Sequence, residues 1–220
     1  MQTAVKDVLP GRTVAFHGEP CLVLEHRTDG TLLMTCNQIK GVFGDSNNFA
    51  ESKLHEHLNG AFLDALTENH TDDVLPRTVD LTALNGSKEY GSVECKVAPL
   101  TLDEYRKYCS IIPLPESWEW LSTPWSTPEV NEDDTWVMGL LTNGDLGTDV
   151  VCYLGTGGNL GGSNCGYSGG SRPAFLIPSD YAVQAESDDT GNLLEQLGVD
   201  EIVTKLADEI TAALKKRLNG

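Results

Sequence analysis

Residues 13–36 contain three short apolar runs, TVAFHG, PCLVLEH and TLLMTC, with turn-forming residues between them. The turn signals are GEP at residues 18–20 and TDG at residues 28–30. Because turns this tight join neighbouring strands that run in opposite directions, the spacing predicts a meander of antiparallel strands. A chain with this beginning is expected to be built on an antiparallel sheet.

The hydrophobic period changes after the meander. In residues 54–66 apolar side chains recur at helical spacing, with Ser52 or Asn48 as the N-cap and Asn59-Gly60 as a bend. A second helix is predicted after Thr101, and strands predominate again in the segments up to residue 178. This order predicts an α+β fold with antiparallel strands and two or three helices.

Composition restricts the classes of partner. The formal net charge is −18, and a strongly acidic surface repels phosphate backbones, so nucleic acid is not an expected partner. No apolar run approaches the length of a bilayer span, which argues against membrane insertion. The first residues lack the charged and apolar regions of a secretory signal. We therefore expect the chain in the bacterial cytoplasm or in a virion.

The cysteines and histidines do not predict a metal site or a redox motif. None of the six cysteines forms a C-x-x-C pair, so a zinc ribbon is not expected. They are predicted to be reduced and mostly buried, although their even number leaves disulfides open. His55 and His57 are two residues apart on a predicted helix and point away from each other. We expect no metal-dependent or other catalytic centre.

Four motifs occur in an order that resembles a protein family. They are LHEHLN-x-x-F at residues 54–62, VAPLTLDEY at 97–105, WEWLSTP at 118–124 and SRPAFLI at 171–177. The chain resembles a family of uncharacterised bacterial and phage domains with LR-x-WLN, WWLRSP and VRPAF motifs. That family is similar to C-type-lectin-like proteins, near the formylglycine-generating enzymes and the variable proteins of diversity-generating retroelements. The resemblance covers roughly residues 11–181 and implies a C-type-lectin-like fold in residues 1–185.

The resemblance also implies roles for individual residues. In such a fold the N- and C-terminal strands pair. Arg172 is expected to be structural, with its guanidinium group hydrogen-bonded to backbone carbonyls or to a carboxylate. Trp118 and Trp120 are expected in the core. The chain departs from the family at Ser122, where the motif has arginine. Cys152 and Cys165 lack the close spacing expected of a formylglycine-generating site.

The glycine-rich stretch at residues 143–168 has the composition of a binding surface. Glycine allows varied loop shapes, and asparagine, serine and tyrosine supply adaptable polar and rigid aromatic contacts, as in antibody binding loops. In the retroelement proteins the corresponding region binds ligands. A cluster of glycine-rich turns with no partner is the alternative. The predicted ligand-binding residues are Asn143, Asp145, Tyr153, Asn159, Asn164 and Tyr167.

The acidic segment PEVNEDDTW precedes this stretch and raises the question of calcium. Carboxylates and asparagine are the ligands that calcium prefers, and lectin-like folds often hold this ion. A solvated acidic loop is the favoured interpretation, and no cofactor is expected. The residues that would bind calcium in the alternative are Glu129, Asn131, Asp133 and Asp134.

The last 35 residues, 186–220, have a different character. A polar linker leads to an amphipathic helix with acidic residues early and basic residues late, as the helix dipole favours. The helix is marginal alone in water, so it is expected to dock on another surface. It could fold back onto its own domain, but contact with another copy or with another virion protein is favoured because a domain of about 180 residues should already close its own core. The residues expected to mediate oligomerisation are Ile202, Leu206, Ile210 and Leu214.

Together these features predict a non-enzymatic ligand-binding or virion-associated structural protein, of the phage adhesin or decoration type, whose ligand is a protein or a glycan. The alternatives are an enzyme related to the formylglycine-generating proteins and an intracellular protein-binding scaffold. A close-set cysteine pair or a metal in a pocket would favour the enzyme, whereas a flat loop face of glycine and tyrosine without a pocket would favour the binding protein.

Overall fold

The strands of the described residues form sheets of seven, five and two strands. The structure is a computed structural model that describes residues 2–127 and 150–185. In chain order the strands are β1 (Gln2–Ala4), β2 (Thr13–Phe16), β3 (Glu19–Arg27), β4 (Gly30–Thr35), β5 (Ile39–Val42), β6 (Arg77–Asp80), β7 (Ser92–Cys95), β8 (Val97–Ala98), β9 (Glu119–Pro124), β10 (Val150–Leu154), β11 (Leu160–Asn164), β12 (Ser168–Ser171), β13 (Ala174–Ile177) and β14 (Ala182–Ala185).

The seven-stranded sheet contains the predicted meander. Its strand order is β1-β14-β2-β3-β4-β13-β8, and β2, β3 and β4 pair as consecutive antiparallel hairpins. The first hairpin turns at His17 and Gly18, whose φ angles of 47° and 85° match the mirror-image turns that suit the twist of paired strands. Strand β14 pairs with both β1 and β2, so the two ends of the described residues meet in one sheet.

Two short helices flank a distorted turn where helical spacing was predicted. Helix α1 spans Lys53–His57 and α2 spans Leu63–Leu66, with a π-helical turn at Leu58–Phe62 between them. Gly60 lies in that turn with the non-helical angles φ −118° and ψ −108°, which accounts for the predicted bend. The Ser52 hydroxyl caps α1 by accepting from the backbone N–H of His55 at 3.0 Å.

A third helix, α3, spans Leu102–Tyr108 and begins with a complete capping box. The Thr101 hydroxyl accepts from the backbone N–H of Glu104, and the Glu104 carboxylate accepts from the backbone N–H of Thr101, both at 3.0 Å. The helix packs against one face of the seven-stranded sheet. Its buried residues Leu102 and Tyr108 belong to the same hydrophobic cluster as Leu32 and Met34 of β4.

The seven-stranded sheet is covered on both faces. In β4, Leu33 belongs to one hydrophobic cluster, whereas Leu32 and Met34 belong to another. Because successive side chains of a strand point to opposite faces, the sheet separates two cores. The first cluster also contains Phe43 and Trp120, and this places the five-stranded sheet against the same core.

The five-stranded sheet has the order β11-β10-β9-β12-β5. Its neighbours are antiparallel except β9 and β12, which run parallel with Gly170 opposite Glu119. The described residues therefore form an α+β fold dominated by antiparallel sheet, as predicted. Within the described ranges, no helix has both the length and the apolar character needed to cross a bilayer.

Candidate ligand-binding site

A shallow, open depression of about 480 Å³ lies at the β10–β11 side of the five-stranded sheet. Its walls come from the residue just before β9, from the β10–β11 hairpin and from the turn that precedes β12. We call it the aromatic slot. The residues that line it are Trp118, Tyr153, Gly155, Thr156, Asn159, Gly162, Ser163 and Tyr167.

Aromatic rings connect the slot to the core. Trp120 is 1% exposed and packs edge-to-face on Trp118, with ring centroids 4.6 Å apart and an interplanar angle of 84°. Trp118 in turn contacts Tyr153 at 5.4 Å and 63°. Edge-to-face contacts of this kind are favourable beyond the area that they bury. Two walls of the slot are thus anchored to the core, whereas Tyr167 is 64% exposed.

Two glycines make room for the anchored rings. A Cβ on Gly169 would lie 2.5 Å from the Trp118 indole, and a Cβ on Gly161 would lie 2.8 Å from the Tyr153 ring. Both distances are shorter than side-chain atoms tolerate, so each ring occupies space that any other residue would fill. The glycine-rich composition therefore has a packing function at these positions.

The β10–β11 hairpin presents the polar part of the slot. Leu154 pairs with Leu160, and the intervening loop closes through a 2.8 Å hydrogen bond from the Gly155 N–H to the Asn159 carbonyl. Gly158 adopts φ +79° in this loop, a conformation that favours glycine. Asn159 and Thr156 are exposed. The loop thus offers an amide and a hydroxyl at the mouth of the slot.

Arg172 and Glu119 form a buried ion pair behind the slot. The Arg172 guanidinium donates from Nη2 to Glu119 Oε1 at 2.7 Å and from Nε to Oε2 at 2.8 Å, and its Nη1 donates to the Pro113 carbonyl at 2.9 Å. The two side chains are 5% and 6% exposed. Bidentate pairing of this kind fixes both partners in orientation.

Gln38 extends the ion pair into a network around Trp118. Its Nε2 donates to Glu119 Oε2 at 2.9 Å and to the Ser117 carbonyl at 2.8 Å, and its Oε1 accepts from the Ser117 hydroxyl at 2.8 Å. Ser117 and Glu119 flank Trp118 in the chain. The network therefore holds the backbone on both sides of the residue that forms one wall of the slot.

The structure brings three of the predicted ligand-binding residues together. Tyr153, Asn159 and Tyr167 line the slot. Asn164 lies in the adjoining turn, where its side chain accepts from the Gly166 N–H at 2.8 Å and its carbonyl accepts from the Tyr167 N–H at 3.0 Å. It supports the turn that carries Tyr167. Asn143 and Asp145 lie outside the described residues, as do the candidate calcium ligands at 129–134 and the predicted oligomerisation residues at 202–214.

Trp118 is the residue whose position the sequence did not indicate. It was expected in the core together with Trp120, but it is only half-buried and its ring lines the slot. The W-E-W spacing does place both indoles on one face of a strand. The spacing does not show that Trp120 lies in the core while Trp118, two residues earlier, lies at the surface.

The cysteines of the glycine-rich region are buried and are not bonded to each other. Cys152 and Cys165 are each 2% exposed, and none of the six cysteines forms a disulfide bond. Burial raises the pKa of the Cys152 thiol to about 12, which favours its neutral form at physiological pH. Among residues 2–127 and 150–185, no group of three or more His, Cys, Asp or Glu side chains is placed to hold a metal ion.

A second polar cluster links the first hairpin to the last described strand. His17 Nε2 lies 2.8 Å from Asp73 Oδ2, and the Tyr181 hydroxyl donates to the same carboxylate oxygen at 2.9 Å. Burial and the hydrogen bond to Asp73 raise the pKa of Tyr181 to about 12. The three side chains are hydrogen-bonded to one another, so the cluster connects His17, just after β2, with Tyr181, just before β14.

The fold and the slot together define an α+β protein with a ligand-sized, uncharged aromatic cavity. Comparison of the chain with protein-family models, with curated proteins and with solved structures finds no match.

Proposed function

We propose that this chain is a non-enzymatic ligand-binding protein with a C-type-lectin-like fold, of the phage adhesin or decoration type, and that the aromatic slot binds its protein or glycan ligand. The observation that carries the proposal is the slot itself. Its volume of about 480 Å³ is in the range of small-ligand sites, and Trp118, Tyr153, Asn159 and Tyr167 combine rigid aromatic area with adaptable polar groups.

Strand pairing supports the proposed fold. The pairing of β1 with β14 agrees with the pairing of N- and C-terminal strands that the resemblance implies. Arg172 of the SRPAFLI motif and Glu119 of the WEWLSTP motif form one ion pair, so two motifs of the resemblance meet in space. Both motifs therefore contribute to a buried ion pair, and neither Arg172 nor Glu119 lines the slot.

The burial of Cys152 and Cys165 argues against the cysteine chemistry of the formylglycine-generating enzymes. A redox-active or copper-binding cysteine works as a thiolate in an accessible pocket. Cys152 and Cys165 are instead buried, and the raised pKa of Cys152 opposes thiolate formation. The enzyme alternative would need a different set of residues. We further propose that residues 186–220 attach the domain to another virion protein or to a second copy.

The test is a binding screen with the full chain against immobilised glycans, bacterial cell-surface polymers and peptides. Tyr167→Ala removes an exposed ring and Asn159→Ala removes an exposed amide, so both variants are expected to fold normally and to lose about tenfold or more in affinity. Leu9→Ala, at a side chain 69% exposed and absent from the slot lining, is the matched control. Saturable binding that both slot variants retain would overturn the proposal, as would a screen with no binder.

A further inference from the structure

Three of the eight residues that line the aromatic slot are aromatic, and none of the eight is charged. We propose that the slot binds a methylated or quaternary ammonium group carried by an otherwise neutral ligand. The inference rests on the proposed function, because it assigns a ligand chemistry to the same slot. It is carried by the ring geometry, the lining and the charge of the chain.

The ring geometry provides a corner of aromatic faces. Trp118 and Tyr153 meet at an interplanar angle of 63° with centroids 5.4 Å apart, so their faces point in different directions. Tyr167 lines the same cavity from the turn before β12. The face of an aromatic ring carries negative charge density, and several such faces around one cavity attract a cation without forming hydrogen bonds.

The anchoring of two rings lowers the cost of binding. Trp118 is packed on the buried Trp120 and faces Gly169, and Tyr153 lies over Gly161. These two walls are in place before a ligand arrives, so little side-chain freedom is lost on binding. Tyr167 is 64% exposed and supplies the third face.

The lining selects a methylated ammonium over a primary one. A primary ammonium is strongly hydrated and loses several hydrogen bonds on entering a cavity, and a carboxylate usually replaces them. No carboxylate lines the slot, whose polar side chains besides the aromatic residues are the Asn159 amide and the hydroxyls of Thr156 and Ser163. A methylated ammonium needs no such hydrogen bonds. The amide and hydroxyls are left for the neutral remainder of the ligand.

The charge of the whole chain acts in the same direction. At a net charge of −18 the protein concentrates cations near its surface and repels anions. No lysine, arginine or histidine lines the slot to compete for the aromatic faces. A neutral ligand of equal shape would gain the same contact area without this attraction.

The experiment compares choline with 3,3-dimethyl-1-butanol, in which a carbon atom replaces the nitrogen. Each is titrated into the full chain by calorimetry, and the indole N–H resonance of Trp118 is followed by NMR. We expect choline to saturate the slot, to shift the Trp118 signal and to bind about tenfold or more tightly than its neutral isostere. Added salt should weaken choline binding more than isostere binding.

Matched variants locate the binding. Tyr167→Leu keeps an apolar side chain and removes the ring, and it should abolish the preference for choline. Leu160→Ala changes a residue that is 42% exposed in β11 but does not line the slot, and the preference should persist. Equal affinity for choline and its isostere, or binding of a neutral methyl glucoside alone, would overturn the ammonium assignment. If the screen finds slot-dependent ligands but choline fails, the proposed function stands and only this inference falls.

Discussion

Replacement of Arg172 by alanine tests whether the ion pair behind the slot supports the fold. The change removes three hydrogen bonds from the guanidinium to Glu119 and one to the Pro113 carbonyl. The Glu119 side chain is only 6% exposed, so its carboxylate would remain out of contact with bulk water. Of its partners described above, only the Gln38 amide would be left to stabilise the charge.

The expected loss follows from the burial of the pair. Removing one partner of a buried ion pair typically costs about 3–5 kcal/mol, because the other charge is left uncompensated. For a chain of this size, about 1 kcal/mol shifts the midpoint of thermal unfolding by roughly 2–4 °C, so the midpoint should fall by roughly 6–20 °C. The pair between Arg106 and Asp103, 55% and 90% exposed, should contribute at most about 1 kcal/mol.

The assay is thermal unfolding followed by circular dichroism, with Arg172→Ala, Arg106→Ala and the double variant Arg172→Met/Glu119→Leu compared with the parent chain. The double variant removes both charges and fills the space with apolar atoms, so it should recover most of the lost stability. An Arg172→Ala variant that unfolds at the same temperature as Arg106→Ala would refute the argument. A double variant less stable than Arg172→Ala would show that the pair acts through something other than its charges.

Three further predictions concern acid, thiols and glycine. Burial opposes ionisation of Glu25 in β3, but hydrogen bonds from Lys107, Tyr108 and Arg27 outweigh this effect and lower the pKa of Glu25 from 4.5 to about 2. Its stabilisation is present above the unfolded pKa and is lost as pH falls towards about 2, so unfolding temperatures measured down that range should drop less in Glu25→Gln. Cys36 and Cys109 are exposed and the other four thiols are buried, so Ellman's reagent should modify two thiols in the folded chain and six after denaturation; fast modification of all six in the folded chain would contradict the burial. Gly169→Ala should displace the Trp118 ring, which would change its fluorescence and weaken slot binding, and an unchanged spectrum would contradict the close approach.

Local signals in the sequence were sufficient for the secondary structure around the meander and the helices. The first turn was predicted at residues 18–20 and lies at His17 and Gly18, so its existence was indicated but its position was one residue late. That turn, the cap at Ser52 and the capping box at Thr101 each involve residues within a few positions of each other. Such features depend on backbone conformation and short-range hydrogen bonds, which residue type and spacing reveal directly. Composition predicted a surface of adaptable polar and aromatic groups in residues 143–168, and of the described part of that stretch Tyr153, Asn159 and Tyr167 line the slot.

The tertiary structure decided which of those groups form a site. Glu119 and Arg172 are 53 residues apart, and Gln38 and Glu119 are 81 apart. No local pattern specifies these pairings, or the parallel pairing of β9 with β12 beside them. By itself the sequence determined that Arg172 needs a polar partner and that tyrosines lie among glycines. Only the packing of the sheets placed Trp118 beside Tyr153, because contacts between distant segments depend on the burial of the whole core rather than on neighbours in the chain.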